Sequence, residues 1–200
     1  MNIWKMEHKL KKEVDENRYH HTLGVMYTAS SLAMCYGEDV ERALVAGLLH
    51  DCAKCIPNEK KIRMCRDAGL EISKVELKAP YLLHSKLGAY LAREKYGVED
   101  EEILSAIRWH TTGRPNMTRL EKIIFIADYI EPGRTKAQNL PAIRQMAFRD
   151  LNQTVFTILE DTLHYLDKGQ GEIDESSRSA YRYYHNLFSD TDDKGDTLTV

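Results

Sequence analysis

Apolar residues recur at the three-to-four-residue spacing of an α-helix along most of the chain, and no stretch alternates convincingly with the period of two that marks a half-buried strand. Gly37, Gly69 and Gly97 stand where three of these helical segments should end. Thr118 and Glu121 form a T-x-x-E capping box that begins another segment, and a Pro-Gly pair stands past its end. The pattern therefore predicts an all-α fold. The predicted helices occupy residues 22–37, 38–54, 57–69, 81–97, 99–110, 118–131, 142–169 and 176–188.

The length of 200 residues suits one domain with a sizeable core. We expect residues 1–188 to form a single helical domain and the polar segment 189–200 to be a flexible tail. The first twenty residues are charged and lack the apolar centre of a signal peptide, and the apolar run "KIIFIADYI" is too short to cross a bilayer. The net charge of −3 gives no basic footprint for nucleic acid or an anionic membrane. These features predict a cytoplasmic protein with neither nucleic acid nor a membrane as partner.

The four cysteines are Cys35, Cys52, Cys55 and Cys65. Cys52 and Cys55 form one C-x-x-C, a spacing that occurs in zinc sites and redox motifs. No second C-x-x-C accompanies it, which disfavours a cysteine-rich structural zinc site. We expect four reduced thiols without a shared role, as is usual in cytosolic proteins.

Several histidines and two aspartates stand where apolar residues would be expected. His50 and Asp51 follow the small, apolar run "RALVAGLL", and Asp128 lies inside "IIFIADYI", the most apolar stretch of the chain. A carboxylate in such a place is costly unless it is paired or binds a cation. Any one of these residues alone would be read as a satisfied core histidine, a cap or an ion-pair partner. Together they favour one shared site, because a helix bundle can gather inward-facing ligands from different helices. The set is His21, His50, Asp51, His84, His110 and Asp128.

Imidazole and carboxylate donors without a thiolate suit iron, manganese, cobalt or zinc. A divalent transition metal there would lower the pKa of a bound water and take charge from a phosphate oxygen. Neighbouring residues of a helix diverge by about 100°, so His50 and Asp51 can approach one cation from the two edges of an inward face. Lys54 would lie one turn later on that face, where it could neutralise a phosphate, or it could be a solvated surface lysine.

Further polar residues follow the last two members of the set. Arg134 comes six residues after Asp128, just past the Pro-Gly break, where a guanidinium could make a bidentate phosphate contact. Arg114, in "HTTGRP", is a second candidate for that role, and Thr111 and Thr112 could donate hydrogen bonds to phosphate from the same loop.

The order H…HD…H…H…D resembles the HD-domain metal-dependent phosphohydrolases. In that superfamily an upstream histidine, the His-Asp doublet and a downstream aspartate hold a metal, and the two intervening histidines are associated with a second metal or with the substrate phosphates. The resemblance implies a helical HD-domain bundle with His21, His50, Asp51 and Asp128 as metal ligands. It implies catalytic roles for Asp51, His84, His110 and Lys54.

Longer segments are similar to the YqeK family of bacterial HD proteins, which hydrolyse diadenosine tetraphosphate symmetrically. They are "RYHHTLGV", "LLHDCAK", "HSKLGAYL", "IRWHTTGRPNMTRLEKIIFIADYIEPGR" and "DLNQTV", and they lie within residues 5–170. The family pattern R-x-x-H-T, counted from Arg18, places the ligand at His21 and leaves His20 as the variable residue. The resemblance implies iron as the cofactor and ADP as the product.

The same resemblance implies a set of nucleotide and phosphate contacts. In the C-terminal segment this chain has Asp174 and Ser176 where the family often has Pro and Thr. The implied contacts are Lys54, His84, His110, Thr111, Asp128, Arg134, Gln170 and Ser176.

The resemblance thus implies a symmetrical bis(5'-nucleosyl)-tetraphosphatase that cleaves diadenosine tetraphosphate to two ADP with a metal-activated water. Another HD-type activity, on a mononucleotide, a cyclic nucleotide or ppGpp, stays open, because the fold alone does not separate these reactions. A regulatory helical module with a purely structural metal is less favoured, because the set of ligands and cations exceeds what a structural ion requires. The sequence does not decide which metal binds, whether a second metal is present, which nucleobase is preferred or whether the chain forms a homodimer.

Overall fold

The computed structural model describes residues 2–137, 139–169 and 172–192. Within these ranges the regular elements are helices and no strand is present, so the predicted all-α class is confirmed. A short 3-10 helix, Pro80–Leu82, leads into the sixth α-helix. The α-helices are α1 (Ile3–Leu10), α2 (Glu16–Tyr36), α3 (Val40–Leu49), α4 (Asn58–Asp67), α5 (Lys74–Lys78), α6 (Leu83–Tyr96), α7 (Glu101–Trp109), α8 (Arg119–Ile130), α9 (Leu140–Ala147), α10 (Leu151–Lys168) and α11 (Glu175–Asp192).

Several of the predicted helix ends have the expected capping geometry, and Gly97 ends α6 with φ of 69°. Gly37 follows α2 with φ of 64°, and its N–H donates to the carbonyl of Ala33. Both hydrogen bonds of the capping box are present where α8 begins, between Thr118 and Glu121.

The predicted helix over residues 38–54 is too long. α3 ends at Leu49, and the chain continues in turns in which the N–H of Cys52 donates to the carbonyl of Leu49 at 3.1 Å. The N–H of Lys54 donates to the carbonyl of Asp51 at 2.9 Å. His50 and Asp51 therefore stand at the C-terminal end of a helix rather than on its face.

The single long helix predicted over residues 142–169 is also wrong. The structure divides it into α9 and α10, and Asp150 separates them as the N-cap of α10. Its carboxylate accepts a hydrogen bond from the N–H of Gln153 at 3.0 Å. The short helices α1 and α5 are not predicted by the apolar pattern.

The larger apolar core draws on nearly every helix of the bundle, and a smaller one lies between α4 and α6. Tyr184 on α11 is fully buried, and its hydroxyl accepts a hydrogen bond from the N–H of Met117 at 3.1 Å. α11 runs to Asp192, past the predicted domain boundary at residue 188. Gln170 and residues 193–200 of the predicted tail lie outside the described residues.

Within the described residues, no helix combines the length and the apolar character needed to cross a membrane.

A close approach of two helices brings α3 against the middle of α2. A Cβ built on Gly47 would lie 2.8 Å from the Cα of Met26, which is too close for any side chain. This contact holds the end of α3, which carries His50, beside the helix that carries His21.

We expect Gly47→Ala to lower the free energy of unfolding by about 1–3 kcal/mol, because the added methyl group forces two backbones apart. Urea unfolding monitored by circular dichroism measures the change. Gly169→Ala is the matched control, because a Cβ there would make only ordinary contact, at 3.4 Å from the carbonyl oxygen of Tyr165. Equal stability of the two variants would contradict the close packing of α2 and α3.

Candidate metal centre

The structure brings all six side chains of the sequence-derived set together in the middle of the bundle. Their ligand atoms form three overlapping groups in which all atoms lie within 4.8 Å of one another. Each group combines imidazole nitrogens with one carboxylate oxygen. The groups are His21, His50 and Asp51; His50, His110 and Asp128; and Asp51, His84 and His110.

Asp51 lies between two of these groups. Its side chain is 1% exposed. One carboxylate oxygen, Oδ2, is 3.4 Å from His50 Nε2 and 3.8 Å from His21 Nε2. The other, Oδ1, is 3.2 Å from His84 Nε2 and 3.5 Å from His110 Nε2. Asp51 can therefore offer one oxygen to each group.

Three of the four histidines are oriented by backbone carbonyls. The Nδ1 atoms of His50, His84 and His110 lie 2.6–2.7 Å from the carbonyl oxygens of the residues three positions earlier. His50 and His110 are the C-cap residues of α3 and α7, where helix carbonyls lack intrahelical partners. Each imidazole therefore carries its proton on Nδ1 and presents Nε2 to the centre.

Burial keeps two of the histidines, His50 and His84, in the neutral form that coordinates metals. It lowers the pKa of His50 and, for His84, lowers the pKa to about 4. Burial by itself would raise the pKa of Asp51 and Asp128, but the surrounding imidazoles hold both well below the ordinary value. His21 differs: burial lowers its pKa, but the carboxylates beside it outweigh burial and raise the pKa above the ordinary value. At neutral pH the centre thus combines the neutral imidazoles of His50 and His84 with anionic oxygens.

The donor set fits a divalent cation. The Nε2 atoms of His21 and His50 and the Oδ1 atom of Asp51 are buried and make no hydrogen bond of acceptable geometry. Buried polar atoms without partners are costly. A cation in the first group would satisfy the two nitrogens, and a cation in the third group would satisfy Asp51 Oδ1, which faces His84 and His110. Nitrogen and carboxylate donors suit a transition metal.

Lys54 and Thr111 lie at the edge of the centre. The ammonium group of Lys54 is 3.0 Å from His84 Nε2 and 3.7 Å from Asp51 Oδ1, and its side chain is 33% exposed. The hydroxyl of Thr111 is 3.0 Å from His110 Nε2 and 3.1 Å from His84 Nε2. Both groups can therefore contact a ligand of the centre.

The two arginines of the sequence analysis occupy different surroundings. Arg134 donates to Asp128 Oδ1 at 2.8 Å and to the Asp128 carbonyl at 3.0 Å, so it supports a candidate metal ligand. Arg114 pairs with both oxygens of the buried Glu121 at 2.9 Å. None of the contacts described for Arg114 reaches the centre. The hydroxyl of Thr112 likewise donates to the carbonyl of Gly113 rather than to the centre.

A cavity of about 260 Å³ adjoins the centre, and His110, Thr111 and Asp128 form one side of it. Tyr129 and Arg134 are among its other lining residues. Ser176 lines a different cavity, of about 280 Å³, which it shares with Trp109 and Thr112. The structure thus does not bring Ser176 to the cavity beside Asp128, while Gln170 is outside the described residues.

Sequence reasoning did not assign roles to two charged residues that contact the set. Arg18 donates to Asp51 Oδ2 at 2.6 Å, and Glu131 lies 3.0 Å from His21 Nδ1. Arg18 appears in the R-x-x-H pattern, and Glu131 appears in the quoted "EPGR" segment. Their positions within these segments could have indicated a role at the centre, although residue type alone suggests an ordinary surface or turn residue.

No cysteine belongs to a candidate metal group among the described residues. Burial raises the pKa of Cys52 to about 12, so its thiol stays protonated. The thiol of Cys55 is exposed and donates to Asp15 Oδ2 at 3.2 Å.

The fold and the centre together define a helical metal-site protein whose ligand set is built around a His-Asp doublet. The model of the HD domain family matches residues 18–133, which include every residue of that set. The chain belongs to the HD-domain family, and its relatives include symmetrical bis(5'-nucleosyl)-tetraphosphatases. The resemblance seen in the sequence is therefore confirmed.

The chain is 41% identical over 181 residues to a symmetrical bis(5'-nucleosyl)-tetraphosphatase of Halalkalibacterium halodurans. The aligned residues cover 90% of this chain and 96% of that protein. The chain is 42% identical to the protein of the same name from Bacillus subtilis, over 80% of this chain and 84% of the relative. A crystal structure from Clostridium acetobutylicum, described as a predicted HD superfamily hydrolase involved in NAD metabolism, has a TM-score of 0.90 at 42% identity. The match covers 94% of this chain and 98% of that one.

We expect Asp51→Asn and Asp128→Asn to lose tightly bound transition metal while helix content is retained. Each change removes an anionic oxygen from the buried centre and leaves the helices intact. Metal analysis by plasma mass spectrometry after gel filtration, with circular dichroism in parallel, measures both quantities. The exposed Asp167→Asn is the matched control and should bind metal like the parent protein. Full metal occupancy in both centre variants would show that these carboxylates are not ligands.

Proposed function

We propose that this protein hydrolyses dinucleoside polyphosphates and cleaves diadenosine tetraphosphate symmetrically into two ADP. The observation that carries the proposal is a complete His-Asp centre in a chain that matches named tetraphosphatases over nearly its full length. The cations that line the adjoining cavity suit an anionic ligand.

The proposed metal ligands are His21, His50, Asp51 and Asp128, and a second ion would use Asp51, His84 and His110. When bound, a divalent ion supplies Lewis acidity, which makes a water acidic enough to ionise near neutral pH and withdraws charge from phosphate oxygens. Iron is the proposed metal, on the family resemblance. Manganese, cobalt and zinc suit the same donors.

In the proposed reaction the chain's own groups hold the polyphosphate and offset its charge. Lys54 and Thr111 lie close enough to His84 to bind phosphate oxygens at the edge of the centre. Arg134 extends from Asp128 into the adjoining cavity, where its guanidinium can bind a second phosphate. The substrate is thereby fixed by contacts on both sides of the centre.

The chemical step is a bond exchange at phosphorus between the attacking water and the leaving ADP. Water attacks the second phosphorus in line and releases a proton to solvent as a new P–O bond forms. The bond between that phosphorus and the oxygen it shares with the third phosphate breaks. The departing ADP carries the electron pair of that bond on its terminal phosphate oxygen. A nearby ammonium group such as that of Lys54 offsets this developing charge without having to transfer a proton. His84 and His110 present Nε2 to the same region and can hold a phosphate or a second ion.

Symmetric cleavage requires the centre to act on the second phosphate from one end. The cavity beside Asp128 supports this arrangement, because Tyr129 offers an aromatic ring and Arg134 and Lys136 offer cations. One nucleoside diphosphate half would occupy it.

The competing functions differ in what they need from the centre. A purely structural ion would favour closed coordination, whereas a cavity reaches His110 and Asp128 here. Other HD-type reactions on a mononucleotide, a cyclic nucleotide or ppGpp would use the same centre, so the products decide among them. We also propose a cytoplasmic location, because all four cysteines are unpaired.

We expect an early time point of the reaction with diadenosine tetraphosphate to contain ADP as its only nucleotide product. The protein is first loaded in separate samples with Fe²⁺, Mn²⁺, Co²⁺, Zn²⁺ or Mg²⁺, and the products are separated by ion-exchange chromatography. Equal amounts of AMP and ATP would contradict symmetric cleavage. Ready hydrolysis of a mononucleotide without turnover of the dinucleotide would favour another HD-type activity.

We expect Lys54→Ala to keep its metal and to lower kcat/KM by about 10²–10³-fold, the usual range for a pre-organised charge partner. Metal content and steady-state kinetics on the same preparation separate the two effects. Lys60→Ala is the matched control, because it removes an exposed positive charge from the next helix along the chain, α4. Parent-like kinetics for Lys54→Ala would show that Lys54 is an ordinary surface cation and not a phosphate contact.

A further inference from the structure

His21 is oriented differently from the other three histidines of the centre. Its Nδ1 atom lies 3.0 Å from Glu131 Oε1, whereas the others use backbone carbonyls. His21 stands in the second turn of α2, where carbonyl oxygens already accept hydrogen bonds within the helix. A side chain from another element must therefore supply the acceptor, and Glu131 supplies it from the residue that follows α8.

Glu131 is itself held in one position by its surroundings. Its other carboxylate oxygen, Oε2, accepts a hydrogen bond from the N–H of Gly133 at 2.5 Å. Its backbone carbonyl accepts a hydrogen bond from Arg144 at 2.9 Å. A Cβ built on Gly24 would lie 2.5 Å from Oε2, so the absence of a side chain at Gly24 provides the room for the carboxylate. The residue is 3% exposed.

Two hydrogen-bond donors thus meet one carboxylate. His21 Nδ1–H and the N–H of Gly133 each use a different oxygen of Glu131. A carboxylate has two acceptor oxygens, whereas an amide of nearly the same shape has one oxygen and one NH₂ group. If the amide oxygen faced Gly133, its NH₂ group would face His21 and favour the tautomer with the proton on Nε2.

We propose that Glu131 is a positioning residue for the metal centre: it keeps the proton of His21 on Nδ1 and directs Nε2 at the metal. The inference rests on the proposed function only in requiring that the centre bind a divalent ion. Carboxylate partners of ligand histidines fix ring orientation and raise ligand basicity. Gly24 has a supporting role, because it leaves space for that carboxylate.

The same turn also supports a second ligand. Arg134, three residues after Glu131, holds the carboxylate of Asp128. The segment from Glu131 to Arg134 therefore sets the orientation of one ligand from α2 and one from α8. Arg144 fixes this turn by donating to the carbonyls of Ile130, Glu131 and Arg134.

The test is metal binding by Glu131→Gln, with Co²⁺ alone as the probe and no nucleotide present. We expect the dissociation constant for Co²⁺, measured by competition with a chelator, to rise by about 10- to 100-fold. The visible spectrum of the bound Co²⁺ should change as well, because a ligand is lost or reoriented. In a separate assay with nucleotide and saturating Co²⁺, kcat of the variant should fall by a smaller factor than its affinity for Co²⁺.

Glu76→Gln is the matched control. Glu76 is also a buried carboxylate that joins one backbone N–H, from Ser73, to one side-chain donor, Lys86, and none of its contacts described here involves a metal ligand. It should lose stability without loss of Co²⁺ affinity. Gly24→Ala keeps the Glu131 carboxylate but displaces it, and it should weaken Co²⁺ binding in the same direction.

Parent-like Co²⁺ affinity and spectrum in Glu131→Gln would overturn the proposal. If that variant fails to fold, Gly24→Ala decides: weaker Co²⁺ binding in a folded protein supports the positioning role, and unchanged binding overturns it. Because Co²⁺ binding is measured without substrate, failure of the nucleotide activity would not be mistaken for failure of this inference.

Discussion

The placement of one ionised carboxylate in the middle of the bundle constrains much of the surrounding structure. The side chain of Asp51 is 1% exposed, and an ionised group so placed is destabilising unless charges and donors surround it. Arg18 pairs with one of its oxygens, and four imidazoles surround both. The close contact at Gly47 and the turn after α3 bring this carboxylate to the point where the other helices meet.

Helix ends provide most of the precision of the centre. A histidine at the C-cap of a helix finds an unpaired carbonyl three residues earlier, and that carbonyl fixes both the ring and its tautomer. His84 uses the 3-10 helix before α6 in the same way. His21 has no such carbonyl, and a buried glutamate performs the task. Three histidines of the centre are thus oriented by a carbonyl three residues earlier in the chain, and the fourth is oriented by a side chain distant in sequence.

The cations around the centre differ in what they can contribute. Lys54 contacts the centre with its ammonium group, and Arg134 joins a candidate ligand to the neighbouring cavity. Arg114, itself partly exposed, instead pairs with the buried Glu121, which fixes the loop after α7 to the start of α8. Residue type and spacing in the sequence did not distinguish these three positions, because each depends on which acid lies opposite.

The sequence by itself determined the all-α class, the main helix boundaries at Gly37 and Thr118, and the six residues that converge at the centre. Those features are local: helical periodicity, capping residues and polar side chains in apolar surroundings can be read from short segments. The end of α3 at Leu49 and the break before Asp150 were missed, because apolar spacing continues across both. The partners of His21, Asp51 and Arg114 were decided only by the tertiary structure. Each of these contacts joins residues from different elements, and hydrogen bonds of that kind depend on how helices pack rather than on the order of residues within one helix.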